Sequence, residues 1–178
     1  MDIPHSIKTF VAESKIPLVL SDSREIEDPL IMADDAFCEM SGFARDGIIG
    51  RNCRFMHGPG TQQTSRNIIR GDFAANRDTA VLVRNYRKNG EVFDNFLHIF
   101  TLMNDDGRAM FRLGAQFPIP AKDRAKAFVA HIRTLLIGLQ EINASGDLPA
   151  HRLIEIDRIR NLSAISLLDA RLGSLKGA

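Results

Sequence analysis

An Asn-Gly pair between two β-rich runs constrains the fold of this chain more than any other local signal. Asn89 and Gly90 separate residues 79–83, Thr-Ala-Val-Leu-Val, from a run that starts at Val92 and continues to Thr101. Asn-Gly favours a type I′ turn, because both central residues of that turn must adopt positive φ. The sequence therefore predicts an antiparallel β-hairpin near the middle of the chain.

Three further apolar runs predict the rest of a sheet. Residues 18–20 and 30–32 are short and flank a polar loop, and residues 110–119 follow the turn Asn104-Asp105-Asp106-Gly107. Runs of this length bounded by turn residues are typical of strands. Five strands are therefore expected.

Helical patterns lie before and between these strands. Residues 6–15 predict a helix with Ser6 as its N-cap, ended by Pro17, and short helices are expected through Phe37 and Ile49. A longer helix is expected from Thr61 to Ala75. The order predicts an α+β fold, a five-stranded antiparallel sheet with helices crossing one face.

Composition narrows the functional classes. Hydrophobic content of 44% and charged content of 25% are those of a soluble globular protein. The net charge of +1 argues against direct nucleic-acid binding by the whole surface. The sequence has no 18-residue apolar run and no leader pattern, so we expect no membrane span and a cytoplasmic location.

The chain has two cysteines, Cys38 and Cys53, and five scattered histidines. This is too little for a disulfide framework, and the spacing does not suit a metal site. Cys38 falls in a short amphipathic helix and is expected to pack. Motifs of nucleotide hydrolases, serine hydrolases and zinc proteases are missing, so we expect no enzymatic activity.

Cys53, unlike Cys38, stands among residues suited to ligand binding. The run is Asn52-Cys53-Arg54-Phe55-Met56-His57, directly after an apolar helical turn. In this setting a sulfur can face a pocket while Arg54 meets an anion. Arg70 follows sixteen residues later on a predicted helix, so two guanidinium groups could close on one phosphate. The predicted strands then carry Asn85, Asn95 and Gln116, whose amides both donate and accept hydrogen bonds.

These residues resemble the flavin-binding signature of the LOV (light, oxygen, voltage) family within the PAS superfamily. The usual form of that signature is Asn-Cys-Arg-Phe-Leu-Gln, and four of its six positions match. The resemblance covers about residues 17–119. It implies a PAS fold and a blue-light photoreceptor that binds FMN and forms a reversible cysteinyl-flavin adduct at Cys53.

The resemblance also implies roles for single residues. Arg54 and Arg70 would hold the phosphate, Asn85, Asn95 and Gln116 would bind the polar edge of the flavin ring, and Gln116 would reverse its hydrogen bond in light. Further contacts to the flavin are expected from Val19, Ser21, Phe37, Asn52, Met56, His57 and Leu97.

The sequence departs from the family at Met56, His57 and Leu97, where leucine, glutamine and phenylalanine are usual, and Asp28 replaces an asparagine common in plant members. FMN is expected rather than FAD, since the short segment from Gly58 to Thr61 has no inserted loop to hold an adenine.

Three regions are expected: an N-terminal helical cap at 1–16, a LOV domain at 17–119 and a C-terminal helical extension at 120–178. In the extension a heptad seam runs through Phe128, Ile132, Leu135, Leu139 and Ile142, and a second apolar stripe includes Ile165, Leu168 and Leu172. These stripes predict a homodimer formed through the extension, whose self-association responds to light.

Two alternatives remain open at this point. The chain could be the sensor and dimerisation part of a light-regulated histidine kinase, because His131 and Arg158 stand in segments faintly like phosphoacceptor helices. It could also be a dark flavin redox sensor, although that role does not require Cys53. A photoreceptor without an enzymatic effector domain is the leading interpretation, and its downstream partner protein is not identified by the sequence.

Overall fold

A computed structural model describes residues 3–119 of the protein. The first helix, α1, spans His5–Glu13. The prediction of Ser6 as its N-cap is wrong, because Pro4 occupies that position without a side-chain cap and its carbonyl accepts a hydrogen bond from Lys8 N at 3.1 Å. The fixed φ of proline starts the helix earlier than the serine would.

Five strands form one antiparallel sheet in the order β2-β1-β5-β4-β3. This confirms the predicted α+β fold. The strands are β1 (Leu18–Asp22), β2 (Leu30–Ala33), β3 (Thr79–Tyr86), β4 (Val92–Met103) and β5 (Ala109–Pro118).

The predicted β3–β4 hairpin is present, but its turn is not type I′. Gly90 has a φ of 85°, whereas Asn89 is not in the positive-φ region. Gly90 N donates to Arg87 O at 2.9 Å, and Glu91 N donates to the Asn89 side chain at 3.0 Å. The Asn89 side chain therefore stabilises a longer turn that requires one left-handed residue, the glycine.

The helices between β2 and β3 are α2 (Asp35–Ser41), two short 3₁₀ helices (Arg45–Gly47 and Cys53–Met56) and α3 (Gln63–Ala74). Helix α3 begins two residues later than predicted. The Thr61 hydroxyl instead donates to Arg84 O at 2.6 Å and accepts from Gly58 N at 3.0 Å, which fixes the segment after the Cys53 turn to β3.

The two faces of the sheet pack against different helices, because neighbouring side chains on a strand point in opposite directions. Leu18 and Leu20 pack with Ile7 and Val11 of α1. Val19, between them, faces the opposite side and packs with residues of α2 and of the Cys53 turn. Helix α1 thus covers one face, while α2, α3 and the 3₁₀ helices cover the other.

Within residues 3–119 no helix is long and apolar enough to cross a membrane, and no three potential metal ligands come together. The predicted helices and dimer seam at 120–178 lie outside the described residues. That part of the predicted domain organisation stays a prediction.

Candidate functional site

A cavity of about 460 Å³ lies between the Val19 face of the sheet, helix α3 and the Cys53 turn. Most of the predicted site residues line it: Val19, Ser21, Asn52, Cys53, Arg54, Met56, His57, Arg70, Asn85, Leu97 and Gln116. Phe37 and Asn95 are not among the lining residues. Phe37 is fully buried in the core between α2 and the sheet, and Asn95 is buried directly behind the cavity wall.

The Cys53 turn is held in place by its own cap. The Asn52 side-chain oxygen accepts from Arg54 N at 2.9 Å, and its nitrogen donates to Glu27 O. Cys53 is therefore the first residue of a fixed 3₁₀ helix. It lines the cavity, and burial raises the pKa of its thiol to about 12. At neutral pH its sulfur carries a proton.

Cys38 occupies a different environment. It lies on α2, is partly buried and packs against the core next to Met40 and Ile48. It does not line the cavity. The prediction that Cys38 packs is confirmed.

Three amides form one buried network at the end of the cavity next to β3. The Asn95 amide nitrogen donates to Asn85 Oδ1 at 3.0 Å and to Gln116 Oε1 at 2.6 Å. Asn85 donates in turn to Met56 O at 3.3 Å, which joins the network to the Cys53 turn. Asn95 is thus the central residue that orients the other two amides.

A glycine leaves space on the sheet beside Gln116. A Cβ at Gly114 would lie 3.1 Å from Val19 Cγ2 and 3.4 Å from Gln116 Nε2. Any larger residue would therefore fill the cavity beside the amide network. The absence of a side chain at Gly114 leaves a flat wall suited to a planar ligand.

Arginines surround the opening of the cavity on the α3 side. Arg54 and Arg70 line it, as predicted, and so does Arg66, which sequence reasoning missed. Arg54 forms an ion pair with Glu27, and the Arg66 guanidinium donates to Thr61 O at 3.1 Å. The buried Nε of Arg66 has no hydrogen-bond partner among the described residues. This leaves a charged donor available to an anion.

The position of Arg66 could have been found from its spacing. It precedes Arg70 by four residues on α3, and such a pair shares one face of a helix. Two like charges repel at that spacing unless an anion lies between them.

His57 stands beside this cationic group. It lines the cavity, and burial followed by the charges of Arg66 and Arg54 lowers the pKa of its imidazole. It is therefore neutral at physiological pH.

The other end of the cavity contains a buried ion pair that sequence reasoning also missed. Arg112 on β5 pairs with Asp28, donates to Ser23 Oγ at 3.0 Å, and lies over the Phe73 ring at 4.0 Å from its centroid. Burial raises the pKa of Asp28 and lowers that of Arg112, and each partner's charge opposes the other's shift. The departure from the family at Asp28 is apparent from the sequence, but its partner is not.

Comparisons with known proteins agree with this geometry. Residues 18–117 match the model of the PAS domain family. The crystal structure of a Rhodobacter sphaeroides LOV protein matches 93% of this chain and 94% of its own, with 29% identity and a TM-score of 0.80. The chain belongs to the PAS family, in its LOV class.

Curated relatives of this LOV chain are larger. A blue-light-activated histidine kinase of Rhizobium johnstonii is 35% identical over 124 residues, which are 70% of this chain and 36% of the kinase. A similar kinase of Erythrobacter litoralis is 34% identical over 107 residues, 30% of its length. The chain thus spans about a third of these two relatives.

The cavity of the LOV domain fits a flavin. Gly114 leaves room for a flat ring, the amide network offers alternating donors and acceptors to its polar edge, and the free Nε of Arg66 is suited to a phosphate. These residues would hold the chromophore that LOV relatives imply.

Proposed function

We propose that this LOV protein is a blue-light photoreceptor that binds FMN and forms a reversible bond between Cys53 and the flavin. One observation carries the proposal. Cys53, the amide network and the arginines converge on a single cavity with space for a planar ligand. Each group matches a different part of FMN: the reacting carbon, the polar ring edge and the phosphate.

The arginines support FMN over flavins without a terminal phosphate. Arg54, Arg66 and Arg70 line the same opening, and guanidinium groups bind phosphate oxygens through paired, charge-assisted hydrogen bonds. The segment from Gly58 to Thr61 is short and is tied to β3 through Thr61. A segment of this length has no inserted loop to hold an adenine, which supports FMN over FAD.

The Cys53 thiol would supply the sulfur and the proton for this bond. A bound flavin would supply blue-light absorption and an electron-poor ring carbon once excited. The sulfur of Cys53 would bond to that carbon and the thiol proton would move to the adjacent ring nitrogen, so no external oxidant or reductant would be consumed. Because burial raises the pKa of the Cys53 thiol, the sulfur carries a proton before illumination, and that proton is available to the flavin ring nitrogen.

Gln116 is positioned to report that proton transfer. Its Oε1 accepts from Asn95, and its amide can rotate to exchange donor and acceptor when the hydrogen-bonding sense of the flavin edge reverses. A rotated amide would present its NH₂ group to Asn95, which donates there in the described state. The network must then rearrange.

The absorption spectrum of the purified protein tests this function. We expect a flavin band near the blue that bleaches on illumination and recovers in darkness. Cys53→Ala should retain the flavin but lose the reversible bleach, whereas Cys38→Ala should behave as the parent. A bleach that persists in Cys53→Ala, or a parent protein without bound flavin, would contradict the proposal.

A second proposal concerns output. The two relatives, of which this chain matches about a third, are named blue-light-activated histidine kinases, and this supports the alternative that the chain is the sensor and dimerisation part of such a kinase. For self-association we expect a homodimer through residues 120–178. Scattering in dark and light, with Leu135→Glu and Leu139→Glu as controls, tests self-association: an unchanged mass in every case would contradict it.

A further inference from the structure

The Arg112–Asp28 pair lies at a defined place relative to the amide network. Arg112, Gly114 and Gln116 alternate along β5 and all line the cavity. Four residues of a strand span about 13 Å at ~3.3 Å per residue. Arg112 and Gln116 therefore face the cavity at a separation close to the length of the three-ring system of a flavin. A flavin whose polar edge binds Gln116 has its opposite, benzenoid end against Arg112.

The contacts of the Arg112–Asp28 pair connect three separate elements. Arg112 is 7% exposed and belongs to β5, its second nitrogen approaches Phe73 O of α3 at 3.4 Å, and Asp28 belongs to the loop between β1 and β2. Asp28 has a φ of 46°, an unusual conformation for a residue other than glycine. A backbone of this kind is retained where the surrounding contacts hold it, and here it directs a carboxylate to the guanidinium.

The Nε atom of Arg112 gives a further indication that the guanidinium faces a ligand. It is buried and has no hydrogen-bond partner among the described residues, although the two terminal nitrogens of the same group are both used. A structural ion pair alone does not require a guanidinium that leaves one donor unsatisfied in a ligand cavity, because an unpaired buried donor costs free energy. The arrangement is consistent with a group that faces a ligand.

We propose that Arg112, oriented by Asp28, is a positioning residue that closes the benzenoid end of the flavin site and sets the electrostatic potential at that end of the ring. The proposal rests on the proposed function, since it requires a bound flavin. A cation at this end stabilises the electron-rich reduced flavin relative to the oxidised flavin, and the neighbouring carboxylate moderates that effect.

Two substitutions that each remove one charge of the pair should shift the reduction potential in opposite directions. Asp28→Asn leaves the guanidinium uncompensated, so the potential of bound FMN should rise. Arg112→Met removes the cation while keeping an extended apolar side chain, so the potential should fall. Each tenfold change in the ratio of affinities for reduced and oxidised flavin corresponds to about 30 mV for a two-electron couple.

The measurement is a reductive titration of the FMN-loaded protein in the dark, carried out in a Cys53→Ala background. A matched control is available in Asp22–Arg24, another ion pair beside the same loop that does not line the cavity. Arg24→Met should leave the potential unchanged. If Arg112→Met does not fold, Arg112→Lys should stay close to the parent potential while Asp28→Asn still raises it.

The outcomes separate this inference from the function on which it rests. A parent that binds no FMN contradicts the proposed function. A parent that binds FMN, with Asp28→Asn and Arg112→Met shifting the potential in the same direction or by less than the Arg24→Met control, contradicts the role of Arg112. Opposite shifts that exceed the control support it, since a purely structural pair gives no reason for opposite signs.

Discussion

Glu27 is expected to oppose FMN binding, and its removal should strengthen it. In the described state the Glu27 carboxylate forms an ion pair with Arg54, one of the arginines proposed to bind the phosphate. A phosphate that binds Arg54 must displace this carboxylate or share the guanidinium with it. Glu27→Gln removes the competing charge but keeps the size of the side chain.

The magnitude follows from the exposure of the pair. The side chains of Arg54 and Glu27 are 56% and 63% exposed, so the pair belongs to the weak, screened class of surface ion pairs. Such pairs contribute about 0.2–1 kcal/mol. Glu27→Gln should therefore strengthen FMN binding by about 1.4- to 5-fold, because 1.4 kcal/mol corresponds to a factor of ten.

The assay is quenching of flavin fluorescence on titration with apoprotein, for FMN and riboflavin in parallel. The gain should be largest at low ionic strength, where charges are least screened. Riboflavin, without a phosphate, should bind the parent and Glu27→Gln equally, and Glu25→Gln in the same loop serves as a control. If Glu27→Gln weakened the binding of both flavins, Glu27 would support the loop rather than compete with the phosphate.

Three further predictions test other parts of the site. Arg66→Met should weaken FMN binding by about one to two decades, because a charged hydrogen bond contributes ~1.5–3 kcal/mol. The affinity for riboflavin should stay unchanged in the same titration, and Arg77→Met serves as the control. Gln116→Leu should bleach in light as the parent does but show a smaller light-dependent change in hydrogen exchange; an unchanged response would place the signalling route elsewhere. Burial raises the pKa of the Asp34 carboxyl from 3.8 to about 6. Between these two pH values the folded state therefore binds more protons than the unfolded state. The free energy of unfolding should fall by up to about 3 kcal/mol as the pH rises from about 4 to 6. Urea unfolding across that range should show a flatter pH dependence for Asp34→Asn.

The parts of the site that could be predicted from sequence are those carried by local patterns. Cys53 and Arg54 stand in one short motif, and Asn85, Asn95 and Gln116 fall in β-rich runs whose alternation indicates which residues share a face. The structure brings all five into one cavity wall or directly behind it. The resemblance to the LOV signature assigned these residues to one site, and the alternation of side chains along β3, β4 and β5 turns the three amides toward the same face of the sheet.

Arg112 could not be predicted in the same way. In sequence it is a single charge between Phe111 and Leu113, and its partner Asp28 is 84 residues away. The pairing depends on the register that places Ser21 of β1 opposite Arg112 of β5, and on the left-handed backbone at Asp28. Neither the strand register nor the left-handed backbone at Asp28 can be predicted from the residues around Asp28 and Pro29.

The placement of Gln116 supports the proposal that its amide reports the state of the flavin to both flanks of the domain. Its side chain is bound to Asn95, and its backbone N–H donates to Pro17 O at 2.9 Å, the residue that joins α1 to β1. The next residue, Phe117, donates its N–H to Asn95 Oδ1 at 3.0 Å. Rotation of the Gln116 amide disturbs Asn95 first, and Asn95 holds the backbone of Phe117 near the end of β5.

The energies suffice for such a route. Each hydrogen bond in this set contributes about 1 kcal/mol net, and the loss of one buried partner costs about 1–3 kcal/mol. A change of 1.4 kcal/mol shifts an equilibrium about tenfold. In the proposed mechanism, reversal of the Asn95–Gln116 bond would therefore release enough free energy to shift the path of the chain after Phe117, whose N–H is held by Asn95. Because both segments leave the same end of β5 and its neighbour β1, a signal at Gln116 needs no longer chain of contacts to reach either flank.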